Sequence, residues 1–133
     1  MKKHILYYST LIILLFLGCN EGIDPITQVD PGSDQTSPVV NISFPVEGTV
    51  LQVLEVVATI NIKFEATDDI ELGSVKVTLD GSEIASFTEF TDYRRFLADF
   101  NYDNVTDGAH VLTVTATDLE NKSTSKSIKE SIP

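Results

Sequence analysis

The chain has 133 residues, of which 42% are apolar and 22% charged, an ordinary mixture for a globular protein. Its formal net charge is −11, so it lacks the clustered Lys and Arg that contacts with nucleic-acid phosphates require. The single Cys excludes an internal disulfide and a multi-thiolate metal site, and two His residues are too few for a histidine cluster.

The start of the chain has the pattern of an export signal. Two lysines precede an apolar stretch of thirteen residues, which is too short to span a bilayer, since spanning takes about 20. The stretch ends in Phe16-Leu17-Gly18-Cys19, which resembles the bacterial lipobox with Phe16 in place of the usual Leu. The resemblance implies a lipoprotein signal peptide over residues 1–18 and lipidation of Cys19, which would anchor the protein to a membrane. The alternative is an ordinary signal peptide with a chance Cys.

Residues 19–37 are predicted to be a flexible tether, because they contain few apolar residues and show no sustained period. The eighteen residues from Cys19 to Thr36 would span about 24 Å as a coil and up to about 60 Å when stretched. Glu21 and Asp24 resemble the acidic surface-export signal of Bacteroidetes lipoproteins. We therefore expect a domain tethered to the bacterial outer membrane and exposed at the cell surface.

Beyond residue 38, apolar and polar residues alternate with a period of two, which is typical of strands with one buried face. The clearest run extends from Ala58 to Ala66. Asp80-Gly81 predicts a tight hairpin turn, because Gly accepts positive φ. No window has a convincing helical period. The predicted strands cover residues 39–44, 56–67, 73–80, 83–90, 93–102, 109–117 and 123–131.

Seven short strands separated by turns about every ten residues predict an all-β fold, a seven-stranded antiparallel Ig-like β-sandwich over residues 38–133. A short extra strand fits around Val50 to Val53. The last strand is polar apart from Ile128 and Ile132, which suits the edge of a sheet. The Cys and Trp residues of antibody domains are absent, so the prediction concerns the broad Ig-like group.

Four stretches of the predicted sandwich resemble bacterial Ig-like repeats. They are Pro38 to Gly48, Phe64 to Leu72, Val75 to Gly81 and Asp107 to Asp118. Together with the lipobox, they are similar to the first domain of Bacteroidetes surface lipoproteins of polysaccharide-utilisation loci, which a concanavalin-like (LamG) domain often follows.

This resemblance implies a non-catalytic spacer or scaffold for glycan capture, with polysaccharide or other glycan-uptake proteins of the surface as partners. The alternatives are a carbohydrate- or protein-binding module in its own right and a Ca²⁺-stabilised adhesion repeat. The glycan, the membrane leaflet and the status of Pro133 as the native end stay open.

The tripeptide Ala-Thr-Asp occurs at 66–68 and at 116–118, where two predicted strands end. In an Ig-like sandwich these strands run the same way, so both ends are expected at one pole. Ca²⁺ takes six to eight oxygen ligands, and carboxylates from separate loops supply them. The alternative is that these acids serve only as turn formers, and no other cofactor is expected. The candidate metal ligands are Asp68, Asp69, Glu71, Asp118 and Glu120.

The segment from Phe90 to Phe96 is the richest in recognition chemistry, since aromatic rings stack on sugars and charged groups bond hydroxyls. Phe96 lies on the predicted core face, whereas Tyr93, Arg95 and Asp99 are expected to point outward. These three are the candidate ligand-binding residues. The alternative is an ordinary surface ion pair between Arg95 and Asp99.

Catalysis is not expected, and no catalytic residue is assigned. His110 shares the parity of the buried face, so it is predicted to be partly buried and hydrogen-bonded. No G-x-S-x-G nucleophile motif is present. Paired carboxylates are available among twenty acidic residues, but a small sandwich offers little cleft for a sugar chain.

Overall fold

The computed structural model of the chain describes residues 32–52 and 57–133. The predicted signal peptide, Cys19 and the tether up to residue 31 lie outside the described residues. No helix in the described ranges is long and apolar enough to cross a membrane. The strands are β1 (Val39–Phe44), β2 (Thr49–Val50), β3 (Val57–Thr67), β4 (Leu72–Leu79), β5 (Ser82–Phe87), β6 (Arg95–Thr106), β7 (Gly108–Asp118) and β8 (Ser123–Ile132).

The strands form two sheets that pack into a sandwich. One sheet has the order β1-β3-β6 and the other the order β2-β8-β7-β4-β5. Every pairing is antiparallel except that of β2 with β8, which is parallel. The predicted all-β sandwich is confirmed, and β2 supplies the short eighth strand close to where one was expected.

The core lies between the sheets and is built from the alternating apolar positions that the sequence predicts. Burial of each such side chain contributes about 1.5–3 kcal/mol relative to exposure. The most fully buried of these side chains are Ile60, Ile62 and Phe64 on β3, Val75 and Val77 on β4, and Leu112 and Val114 on β7.

The hairpin between β4 and β5 turns at Asp80 and Gly81, as predicted. Both residues have positive φ, 50° and 81° respectively, which is the conformation of a two-residue turn suited to the twist of the strands. An Asp tolerates this left-handed region better than most residues, and Gly adopts it without steric cost.

The strand predicted to end at Tyr102 continues for four residues, so the predicted end is wrong. Asn104 adopts a positive φ of 64° and inserts a bulge into β6. Tyr102 therefore pairs with Ile60, whereas Val105 pairs with Ala58. The extra residue shifts the alternation by one, which hides the second half of the strand from a period-two reading.

The two ends of the described sandwich lie at opposite poles. Val39 at the start of β1 pairs with Thr67 at the end of β3, whereas Ile132 at the end of β8 pairs with Gly108 at the start of β7. β3 and β7 run the same way, and each has eleven residues, which corresponds to about 35 Å of strand. We call the end where β1 starts the acidic pole and the end where β8 finishes the distal pole.

Candidate functional site

Three buried carboxylates meet at the acidic pole. Asp34 precedes β1, Asp68 follows β3 and Asp118 ends β7. Their relative exposures are 6%, 9% and 3%, and one oxygen of each lies within 4.8 Å of the other two. The structure thus brings together Asp68 and Asp118, as the predicted topology requires, and adds Asp34.

Asp68 shapes the connection between β3 and β4. Its Oδ1 accepts hydrogen bonds from the backbone N–H groups of Ile70 (2.9 Å) and Glu71 (2.8 Å). Its Oδ2 is buried and accepts no hydrogen bond from the described residues. Turn formation therefore accounts for one oxygen of this carboxylate and leaves the other without a role.

Lys122 forms ion pairs with three carboxylates of the acidic pole. Its Nζ lies 3.0 Å from Asp118 Oδ2, 3.2 Å from Asp34 Oδ2 and 3.4 Å from Glu120 Oε2. Nζ also donates to the backbone carbonyl oxygen of Asp34 at 3.2 Å. Three carboxylates thus share the Lys122 ammonium, and the carboxylate of Asp68 has no ion pair among the described residues, so negative charge is in excess within this cluster.

The ion pairs set the protonation of this cluster. Burial alone would raise the pKa of Asp118, but hydrogen bonds from the side chain and backbone of Lys122 outweigh it and lower the pKa. Burial likewise opposes the charge of Lys122, yet the carboxylates of Asp118, Asp34 and Glu120 outweigh it and raise the pKa. Both pKa shifts favour the charged forms of Asp118 and Lys122.

The other predicted metal ligands hold the loops of the acidic pole together. Asp69 Oδ1 accepts a hydrogen bond from the Thr36 hydroxyl. Glu120 Oε1 accepts a hydrogen bond from the backbone N–H of Asp34 at 3.1 Å. Within the described part of the chain, Glu71 contributes its backbone N–H, which donates to Asp68 Oδ1, and no contact of its side chain. These contacts attach the segment before β1 to the sandwich.

Sequence reasoning missed Asp34 because it lies in a polar stretch predicted to be part of the tether. One local signal was present, since an Asp two residues before a Thr favours a side-chain turn. Asp34 Oδ1 indeed accepts a hydrogen bond from the Thr36 N–H at 2.9 Å.

Tyr93 is the exposed aromatic residue of the predicted ligand-binding set. Its relative exposure is 53%, and the Arg94 guanidinium lies 5.7 Å from the centre of its ring. A half-exposed ring beside a cation has the chemistry to stack on a sugar or on another planar group.

Arg95 and Asp99 do not pair with each other, so the ion pair expected between them is wrong. Arg95 Nε lies 2.5 Å from Glu65 Oε1, and Asp99 Oδ2 lies 2.9 Å from Lys63 Nζ. Residues four apart on a strand are about 13 Å from each other, whereas Lys63 is directly opposite Asp99 across the β3–β6 ladder. Cross-strand neighbours therefore satisfy both charges.

An open groove of about 450 Å³ runs between the unpaired edges of β5 and β6. Three aromatic rings lie along it, with centroid distances of 4.8 Å for Phe87–Phe96 and 6.0 Å for Phe87–Phe100. Phe96 is half-buried, because the two sheets do not join at this side. Its predicted core position is therefore only partly enclosed.

At the distal pole, His110 is buried, with 8% exposure, and is hydrogen-bonded as predicted. Its Nδ1 lies 2.7 Å from Asp80 Oδ2 and its Nε2 lies 2.8 Å from the carbonyl oxygen of Thr106. Glu130 pairs with His110 across the β7–β8 ladder. Neither carboxyl oxygen of Glu130 accepts a hydrogen bond from the described residues.

The sandwich topology and the sequence agree on the class of protein. Residues 38–114, more than half of the chain, match the family described as bacterial Ig domain. The chain belongs to this family of Ig-like domains. Among curated proteins there is no match to the sequence.

Two solved structures have a similar fold. Fibronectin(III)-like modules of Clostridium thermocellum CbhA are 22% identical, with a TM-score of 0.52 over 72% of this chain and 46% of that one. An endo-β-1,4-mannanase from Thermotoga petrophila is 17% identical, with a TM-score of 0.54 over 77% of this chain and 21% of that one. The chain thus spans less than half of each, and the similarity is one of fold.

Proposed function

We propose that this chain is a lipid-anchored, extracytoplasmic Ig-like module, which acts as a non-catalytic spacer or scaffold for glycan capture at a bacterial outer membrane. A lipid attached to Cys19 would anchor the module to the outer membrane, with the sandwich exposed at the cell surface. The observation that carries the proposal is the placement of the entry at Val39 and the exit at Ile132 at opposite poles.

This placement supports a spacing role because the full strand length separates the two poles. Strands of eleven residues correspond to about 35 Å. A group attached beyond Ile132 would therefore be held about that distance from the end of the tether. A continuous core between the sheets keeps the separation fixed.

The chemistry of the described residues supports a role without catalysis. His110 is the only His of the described ranges, and both of its ring nitrogens are bound by protein groups. The mannanase with a similar fold acts, by its name, on a polysaccharide. Together with the resemblance to polysaccharide-utilisation lipoproteins, this supports a glycan or a glycan-uptake protein as partner.

Anchoring is tested by growing a bacterial host that expresses the full chain with an alkyne-tagged fatty acid. The wild-type chain is expected to carry the label and to sediment with outer membranes, whereas Cys19→Ala loses both properties. Ser33→Ala, a small substitution outside the lipobox, serves as the control. Label on the Cys19→Ala chain, or an unlabelled wild type, contradicts the proposal. Protease treatment of intact cells then reports on surface exposure.

Spacing is tested by electron-spin distance measurement between labels at Ser37→Cys and Ser131→Cys in a Cys19→Ala chain. The expected result is one narrow distribution at roughly 30 Å, because the two positions lie at opposite poles. A broad distribution, or a mean below roughly 20 Å, contradicts a rigid spacer.

The exposed ring of Tyr93 favours a second candidate function, direct binding of a carbohydrate or protein. Loss of the ring in Tyr93→Ala is then expected to abolish binding in titrations of the full chain against a panel of soluble polysaccharides. Tyr102→Ala is the control, because it removes a different tyrosine ring, one that lies on β6, the strand that also carries Arg95. If the wild-type chain binds no polysaccharide of the panel, glycan binding is contradicted. Binding of protein partners is tested separately, by crosslinking at position 93.

A further inference from the structure

We propose that the acidic pole binds one Ca²⁺ ion through the carboxylates of Asp34, Asp68 and Asp118, and that the Lys122 ammonium occupies the site when the ion is absent. The three ligands all lie within the described residues. It is therefore independent of the proposed lipid anchor, and failure of either proposal leaves the other standing.

The first argument is the spacing of the oxygens. Ca²⁺ binds oxygen at 2.3–2.6 Å, so two oxygens on one ion are at most about 5 Å apart. One carboxylate oxygen from each of Asp34, Asp68 and Asp118 meets this limit, since all three lie within 4.8 Å of one another. Little backbone rearrangement is therefore needed to place one ion among them.

The second argument is the unsatisfied oxygen of Asp68. This residue is about nine-tenths buried, and its Oδ2 accepts no hydrogen bond from the described residues. A buried carboxylate oxygen without a partner costs about 1–3 kcal/mol or more. A cation held between this carboxylate and those of Asp34 and Asp118 would remove that cost.

The third argument is the position of Lys122. Its ammonium has four oxygens within 3.4 Å, two from Asp34 and one each from Asp118 and Glu120. The pole thus already holds a cation in an oxygen cage. The Lys122 side chain is 28% exposed and has a flexible four-carbon stem, so it can leave toward solvent when Ca²⁺ enters.

Charge and ligand number favour Ca²⁺ over a second ammonium or Mg²⁺. The negative charge of the four carboxylates exceeds the single positive charge of Lys122, and this excess favours a divalent cation. The oxygens come from three separate segments and include the Asp34 carbonyl, an irregular set that suits the flexible coordination of Ca²⁺. Mg²⁺ requires a near-ideal octahedron and gives up its water reluctantly.

A bound ion would join the segment before β1 to the loops after β3 and β7. Asp34, Asp68 and Asp118 come from these three places, which are otherwise linked through side-chain hydrogen bonds and Lys122. Ca²⁺ would therefore fix the direction in which the preceding chain leaves the sandwich.

The test is thermal unfolding of the chelator-treated full chain in non-ionic detergent, with calorimetric titration of Ca²⁺. We expect one site with a Kd of about 10⁻⁴–10⁻³ M, as in extracellular Ca²⁺ modules, and a Tm gain of about 5 °C in millimolar Ca²⁺. Mg²⁺ and NaCl at matched ionic strength control for screening of the acidic chain, and they are expected to give less than half of that gain.

Variants separate binding from a purely structural role. Asp68→Asn retains an Oδ1 for the two backbone N–H groups, and we expect it to weaken Ca²⁺ binding roughly tenfold or more. Asp118→Asn is the second such variant, should Asp68→Asn fail to fold. Asp107→Asn makes the same charge change on an exposed residue at the distal pole and is expected to bind like the wild type.

Lys122→Gln gives the sharpest outcome, because it removes the competing cation. Without Ca²⁺, the Tm of Lys122→Gln is expected to lie below that of the wild type. Added Ca²⁺ is expected to restore the Tm and to bind this variant more tightly than it binds the wild type. If Ca²⁺ fails to restore Lys122→Gln beyond the Mg²⁺ control, Lys122 alone is the counter-ion and the proposal is overturned. An Asp68→Asn chain that keeps the full Ca²⁺ gain overturns it as well.

Discussion

Asp80 Oδ2 lies 2.7 Å from His110 Nδ1, and this pair joins the tip of the β4–β5 hairpin to the start of β7. The other ring nitrogen faces the carbonyl oxygen of Thr106 at 2.8 Å. Both partners are acceptors, so the imidazole satisfies them fully only as the charged form with two N–H donors. The hydrogen bond to Asp80 accordingly raises the pKa of His110, and the same bond lowers the pKa of Asp80.

Asp80→Asn is expected to destabilise the protein in a pH-dependent way. Asn keeps the left-handed turn and an oxygen for the Val111 N–H but removes the charge that faces His110. Since folding raises the pKa of His110, its contribution is complete below the ordinary value near 6.5 and is lost as pH rises through the folded value. We expect a loss of about 1 kcal/mol near pH 6, limited by the exposure of Asp80, and a smaller loss near pH 9.

Urea unfolding of the wild type and the Asn variant at the two pH values measures this difference. Nuclear magnetic resonance titration of His110 gives its pKa directly, and the Asn variant should titrate at lower pH. An equal loss of stability at both pH values would mean that the pair acts through packing alone.

Glu130→Gln is expected to stabilise the protein above neutral pH. Burial raises the pKa of Glu130, the His110 charge lowers it and Asp80 raises it further. The folded state therefore holds the proton more tightly, and stability falls as pH rises through the raised folded value. Gln cannot ionise, so it avoids this loss.

We expect a gain of about 1 kcal/mol for Glu130→Gln near pH 8 and little difference near pH 4, measured by urea unfolding. Glu89→Gln, at an exposed position after β5, is the matched control and is expected to change stability by less than about 0.5 kcal/mol. A Glu130→Gln chain that is less stable than the wild type at pH 8 contradicts the assignment of a buried, unsatisfied carboxylate.

Phe64→Ala is expected to cost about 3–5 kcal/mol. The Phe64 ring is 1% exposed and packs edge-on against Phe96 and Phe87, at centroid distances of 6.0 and 6.4 Å. Leu97→Ala, at a position with 61% exposure on β6, should change stability by less than about 0.5 kcal/mol. The two variants are compared by their midpoints in denaturant unfolding. Similar midpoints would show that the aromatic cluster is not part of the cooperative core.

Gly73→Ala is expected to destabilise the acidic pole by about 1–3 kcal/mol. A Cβ at this position would lie 2.8 Å from the carbonyl oxygen of Asp118, which is backbone and cannot move aside freely. Ser74→Ala, the next residue on β4, removes only a half-buried hydroxyl and is the control. The stabilities of the two variants are compared by thermal unfolding. Unchanged stability of Gly73→Ala would show that the loop after β7 shifts to accommodate the added Cβ.

Most of the fold was predictable because its strands bury one face each. The run Ala58 to Ala66 keeps strict alternation over nine residues, and Asp80-Gly81 allows one tight turn type. The end of β6 was not predictable, since the bulge at Asn104 moves the alternation out of phase. The alternation indicates which face of the sheet a residue occupies, and a single inserted residue exchanges the buried and exposed positions that follow it.

The acidic pole was predictable in part, for a related reason. Asp68 and Asp118 follow strands that the topology sends to the same pole, so strand order alone places them together. Asp34 and Lys122 carry no such signal, because their positions depend on how two irregular segments pack. The pairing of Arg95 with Glu65 was missed because it depends on the register between β3 and β6, which no local pattern encodes.

The opposite placement of Val39 and Ile132 also determines how the sandwich carries mechanical load. A pull between the two ends drags β1 along β3 and β8 along β7, parallel to the strand axes. All hydrogen bonds of each ladder are then strained in shear at once, instead of opening one after another as in peeling. The unit would therefore remain folded under tension that would separate a sheet loaded from one end.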